Sequence, residues 1–229
     1  MKHIILAGDS IFDNGTWVPG DPDVAEQLRG LLGPNDKVTL LAVDGDVING
    51  VYHQLNDLPN DATHLFISVG GNDALGQLAS LAKPVDNVGE GFHEFSFIKA
   101  QFEKEYSNML SNVISVGIPT AVCTIYDPCF YHRNNQRIGQ YMGFGLSNKK
   151  MQEISVTALS IFNDIITRQA VTAGIPVIDL RLLFNSDHDY ANAIEPSMVG
   201  GLKIARMIKK IAIEHNYEDK NTKPVFFTV

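Results

Sequence analysis

Short unbroken apolar runs, separated by longer amphipathic stretches, constrain this chain more than any other feature. "HIILAG" (3–8), "VTLLAV" (38–43), "HLFISVG" (64–70), "TAVCTIY" (120–126) and "PVIDL" (176–180) are continuous and rich in Val, Ile, Leu and Phe. A strand with one wet face alternates polar and apolar residues. A strand that stays apolar throughout is buried on both faces, as parallel strands are when helices cover the sheet above and below. Between these runs, "DPDVAEQLRGLLG" (21–33) opens on Asp-Pro and stops at Gly33-Pro34. "IKAQFEKEYSNMLSNVISVG" (98–117) and "EISVTALSIFNDIITRQAVTAG" (153–174) each close on a glycine, the usual helix stop. A last helix, at roughly 197–215, follows Pro196. This βαβ succession predicts an α/β domain of three layers, α/β/α, around a parallel sheet. Ligands of such sheets bind at the carboxyl ends of the strands.

At 229 residues the chain is long enough for one domain with a filled core, expected over 1–215. The tail 216–229, "NYEDKNTKPVFFTV", turns from polar to apolar and is expected to pack on the domain or on a partner subunit. Net charge is −8, and basic residues gather only in pairs such as Lys209-Lys210, which argues against nucleic acid and anionic membranes as partners. The sequence predicts no membrane span. Met1-Lys2-His3 runs straight into the first strand, and Cys123 and Cys129 form no disulfide framework, so a reduced, cytoplasmic setting is expected. Two connections, 84–97 and 127–148, have the length of functional loops. The second carries Phe130, Tyr131, Tyr141 and Phe144, aromatics that suit either an acyl pocket or the packing of the loop itself.

Small-residue turns follow three successive strands: Gly8-Asp9-Ser10, Asp44-Gly45-Asp46 and Gly70-Gly71-Asn72-Asp73. In a parallel sheet they emerge at one edge. Ser, Asn and Asp are good helix caps, which is the plain reading of each turn taken singly. Together they suit acyl transfer: a serine hydroxyl facing substrate, with backbone N–H groups and an Asn amide to hold a developing oxyanion.

"AGDSIFDNG" resembles the first block of the SGNH (GDSL) hydrolases, with Ile11 where Leu is commonest. "VDGDVINGV" resembles the second block and "ISVGGNDAL" the third. The resemblance implies a flavodoxin-like sheet of order 2-1-3-4-5. It makes Ser10 the nucleophile, and Ser10, Gly45 and Asn72 the oxyanion hole. The last block departs from the family. Where Asp-x-x-His-Pro is expected before the final helix, "ANAIEPSMVGGLKIA" places Asn192 in the aspartate slot and Glu195 in the histidine slot. His188, flanked by the orienting candidates Asp187 and Asp189, is the first alternative base, and Glu195 the second. Against Glu195 stands the dipole of the following helix, which would favour its charged form and lower its basicity. His132 is a more distant candidate. The expected function is a serine esterase cleaving a small-molecule carboxylic ester through an acyl-enzyme at Ser10, with no metal or organic cofactor. The alternative is an SGNH-fold binding protein whose site no longer turns over. A metal-dependent phosphoesterase is disfavoured because histidines are scarce around the three turns. No G-x-S-x-G elbow or phosphate-binding glycine loop is present.

Overall fold

β1 (His3–Gly8) is buried at every position and lies inside the sheet, with β2 (Lys37–Leu40) on one side and β3 (His64–Ser68) on the other, both parallel to it. β4 (Thr120–Cys123), β5 (Val177–Ile178) and β6 (Val225–Phe226) continue the sheet beyond β3, all in parallel. The order is β2-β1-β3-β4-β5-β6, so the expected 2-1-3-4-5 arrangement is present with a short sixth strand at its edge. This is a computed structural model, and it describes residues 1–131, 147–218 and 225–226.

Alternation along β1 builds the layers. Ile4 and Leu6 join the core beneath α1 (Val24–Leu31) and α7 (Met198–Glu214). Ile5 and Ala7 join the opposite core, beneath α2 (Ile48–Gln54), α4 (Val88–Ser115) and α5 (Asn148–Ala173). Two short helices, α3 (Gly71–Gly76) and α6 (Leu180–Leu183), follow β3 and β5 directly. Among the described residues, no helix is long and apolar enough to cross a membrane.

α4 differs most from the sequence expectation. It starts at Val88 rather than near residue 98, so most of the expected 84–97 connection is helix. Gly89 and Gly91 are poor helix formers and hide the signal. The Asn87 side chain overrides them by accepting the Glu90 N–H at 3.1 Å, and Phe95, Ile98 and Phe102 fall at helical spacing onto the core. Of the other long connection, residues 132–146 lie outside the described residues, and His132, Tyr141 and Phe144 with them.

Candidate active site

Ser10 is held where it is by the residues on either side of the strand end. Gly8 takes φ +131°, and a Cβ there would sit 1.8 Å from the Ser68 carbonyl oxygen, so only glycine lets β1 and β3 close at this level. The Gly8 N–H donates to Gln54 Oε1 at 2.7 Å, while Gln54 Nε2 donates to the Gly8 carbonyl at 2.8 Å and to Asp46 Oδ2 at 2.7 Å. Asp9 staples the turn itself: its Oδ1 accepts the Ile11 N–H at 3.1 Å, and its carbonyl accepts the N–H groups of Phe12 and Asp13. Among the described residues, no acceptor takes the Ser10 N–H. Gly8→Ala is expected to cost about 2–4 kcal/mol of stability, through backbone strain and the clash with Ser68, read as a lower urea midpoint.

The second and third turns converge on this point. The Asp44 N–H donates to Asp13 Oδ2 at 2.8 Å, and Gly45 follows with φ +85°, its own N–H unclaimed among the described residues. The Asn72 amide donates to the Asp46 carbonyl at 2.8 Å, tying the third turn to the second with one of its two N–H bonds. Asp73 accepts the Ile48 N–H at the start of α2. Neither Asn72 nor Asp73 caps the helix they open: α3 starts from Gly70 with no side-chain cap, Asp73 accepts from the start of α2, and Asn72 is engaged across the site.

The loop before α7 sorts the candidate bases. His188 points into solvent, its side chain 85% exposed, and its nearest carboxylate is Asp187 at 3.9 Å. Asp189 is buried and does not orient His188; it accepts Lys203 Nζ at 2.7 Å and the N–H groups of Asn185 and Ser186 at 3.0 Å. Glu195, by contrast, is only 6% exposed, and its carboxylate faces the Ser10 hydroxyl closely enough to be stabilised by it. Asn192 accepts the N–H groups of Ile194 and Glu195 at 2.9 and 3.1 Å, forming the turn that presents the glutamate. The Asn14 amide holds the Pro196 carbonyl at 3.1 Å, and the Tyr126 hydroxyl donates to the Ile194 carbonyl.

Ser10, Asn72 and Glu195 open on one cavity of about 900 Å³, counting its mouth, with mostly apolar walls that include Leu75, Ile125, Phe130 and Phe162. Burial there pushes the Glu195 carboxyl up to about 7, against the pull of the Ser10 hydroxyl and helped by the nearby Asp44. The expected loss of basicity at the helix start does not occur. Glu195 precedes the cap residue Ser197, and desolvation outweighs the dipole. Burial also raises the Asp9 carboxyl, with Glu195 and Asp73 adding repulsion. Among the described residues, one Glu195 oxygen, Oε2, is buried without a partner, as is the Ser155 hydroxyl in the same wall. No histidine among the described residues lines the cavity. His3 sits at the opposite, amino end of the strands, bridging Asp61 at 2.7 Å and Thr39 at 2.8 Å. Nor do the described residues include three His, Cys, Asp or Glu side chains placed to hold a metal ion.

The sequence profile of the GDSL-like lipase/acylhydrolase family matches residues 6–197, from β1 through the Glu195 loop. The chain belongs to this family. Membership implies ester hydrolysis in general terms. Several solved GDSL-type structures share the fold. A lipase from Streptomyces rimosus aligns at 14% identity over 92% of this chain and 99% of its own, with a TM-score of 0.62. A phospholipase A1 from Streptomyces albidoflavus aligns at 15% over 91% and 99%, also at 0.62. A lipase/acylhydrolase from Enterococcus faecalis aligns at 18% over 91% and 96%, at 0.55. Comparison with curated proteins finds no match.

In this GDSL chain the turns after β1, β2 and β3 stand together, and of the two alternative bases only Glu195 is beside Ser10. Sequence reading passed over Gln54 and Asn14, the buried amides that fasten the turns. A lone Gln in a helix or an Asn inside "FDNG" carries no pattern that marks it as a clamp.

Proposed function

We propose that this GDSL-family chain is a serine esterase in which Ser10 is the nucleophile and Glu195 the general base. One observation carries the reading: beside the Ser10 hydroxyl stands a buried carboxyl that loses its own proton only near neutral pH. A base is most effective when its pKa lies near the working pH, and a glutamate lifted to about 7 has the basicity usually supplied by histidine.

The step balances as follows. Ser10 Oγ attacks the ester carbonyl as its proton passes to Glu195, and the carbonyl oxygen gains the negative charge. The N–H groups of Ser10 and Gly45 and the remaining Asn72 N–H are the donors for that oxyanion. The tetrahedral intermediate collapses, Glu195 returns the proton to the departing alkoxide, and the acyl group stays on Ser10. Water, deprotonated by Glu195, then releases the acid. Charge in this scheme moves from carboxylate to oxyanion. A histidine base would instead become an imidazolium and need an aspartate to stabilise it. A glutamate base becomes neutral and needs none, which accounts for Asn192 in the aspartate slot. Its task is to fix the Glu195 backbone.

Asn72→Ala is expected to lower kcat by about 100- to 1000-fold with little change in KM, the usual loss for one oxyanion donor. Steady-state kinetics on a p-nitrophenyl ester read both values.

The absence of a histidine from the described cavity wall favours one second reading, a binding protein with an inactive site. Labelling by a fluorophosphonate, with the adduct mapped by mass spectrometry, separates the two. An adduct on Ser10 supports the esterase. No adduct at any pH from mildly acid to mildly alkaline supports the binding protein.

A further inference from the structure

A second cavity, of about 1440 Å³ counting its mouth, runs between the start of α4 and the middle of α5. Its walls include Val85, Val88, Phe92, Phe97, Ile154 and Ile161. Several of these are apolar side chains left open to solvent: Val88 is 74% exposed, Phe92 64% and Phe97 60%. Apolar surface of this extent beside a polar rim marks a binding site more often than chance exposure.

The groove adjoins the Ser10 cavity: Gln77, Leu81, Phe95 and Ala158 line both, so these side chains stand between the nucleophile's cavity and the surface aromatics of α4. Ser10, Asn72 and Glu195 stand in the inner cavity, and the walls of both cavity and groove are mainly aliphatic and aromatic. A reactive centre beside two mainly apolar surfaces fits a molecule with a reactive polar head and a long apolar tail. The rim carries Glu94 and Glu153 against Lys83, which disfavours an anionic membrane as the occupant.

We infer that the α4–α5 groove takes the distal part of the substrate's acyl chain, so that this chain hydrolyses long-chain acyl esters in preference to acetyl esters. The inference rests on the reading of Ser10 as nucleophile. Each methylene buried in the groove is worth roughly a fourfold gain in binding, provided the chain lies on apolar wall throughout.

The test is the chain-length profile of p-nitrophenyl esters, from acetyl to dodecanoyl, held below their micellar concentrations, for wild type and for Phe92→Lys and Val88→Lys. Both variants alter exposed side chains and leave the core intact. In wild type, kcat/KM is expected to rise at least about tenfold from acetyl to dodecanoyl. The variants are expected to lose about tenfold on dodecanoyl and to keep acetyl hydrolysis. A wild-type profile that is flat or falls with chain length overturns the inference, as does an equal loss on both esters. A preference that appears only above the micellar concentration overturns it in favour of a lipid surface. A variant that turns a dimer into a monomer, with its profile unchanged, overturns it in favour of a second copy. If Ser10 neither labels nor turns over ester, calorimetric binding of 1-decanol reads the groove alone. Binding about tenfold weaker in Phe92→Lys supports the inference, and equal binding ends it.

Discussion

Ser10→Ala should lower kcat/KM for a p-nitrophenyl ester by about 10,000-fold or more and abolish fluorophosphonate labelling, with the fold unchanged. The size follows from the step lost. Without Oγ no acyl-enzyme forms, and what remains is attack by water on an ester that the oxyanion donors still polarise. Ser10 sits on a turn held by Asp9, Gly8 and Gln54 rather than by its own side chain, so alanine leaves the backbone as it is. The urea midpoint should therefore move little, which separates a chemical loss from unfolding. If alanine keeps most of the activity, the hydroxyl is a turn cap and the acyl-enzyme reading fails.

The parts of this fold that were legible in the sequence share one property: each is specified locally. Unbroken apolar runs marked the strands because parallel strands are buried on both faces. The glycine stops fell close to the observed helix ends, at Val116 and Gly174. The three turns were legible as a group because a parallel topology brings every strand's carboxyl end to one edge. What escaped depends on tertiary context. α4 reaches back to Val88 across two glycines because Asn87 caps it and Phe95 finds a core, neither of which a propensity scale weighs. The choice between His188 and Glu195 depended on which side chain the loop turns inward. Asn192, Asn14 and Tyr126 direct Glu195 in, while Lys203 takes Asp189 and leaves His188 outside. The basicity of Glu195 escapes the sequence for the same reason. A helix dipole can be read from sequence, but the desolvation that overrides it here is a property of the assembled cavity.

Glu195→Gln should lower kcat by about 100- to 10,000-fold while raising stability at neutral and alkaline pH. The two effects have one cause. A carboxyl whose folded pKa, about 7, lies above its unfolded value binds more protons in the folded chain between those values. Its contribution to stability is complete below the ordinary glutamate range and is lost as pH rises through about 7. Above that point the folded chain holds a buried carboxylate whose Oε2 has no partner among the described residues, at a cost on the order of 2 kcal/mol that the uncharged amide avoids. Activity runs the other way. The base works only when deprotonated, so kcat/KM of the wild type should rise through about 7 and then level, and Gln should remove that step. A residue kept for packing would show no such opposition, since its loss would weaken fold and activity together. His188→Ala supplies the contrast. It should leave rate and pH profile unchanged, because its ring lies in solvent. A rate loss in His188→Ala with Glu195→Gln still active would return the base to the histidine and require the 186–195 loop to refold toward Ser10.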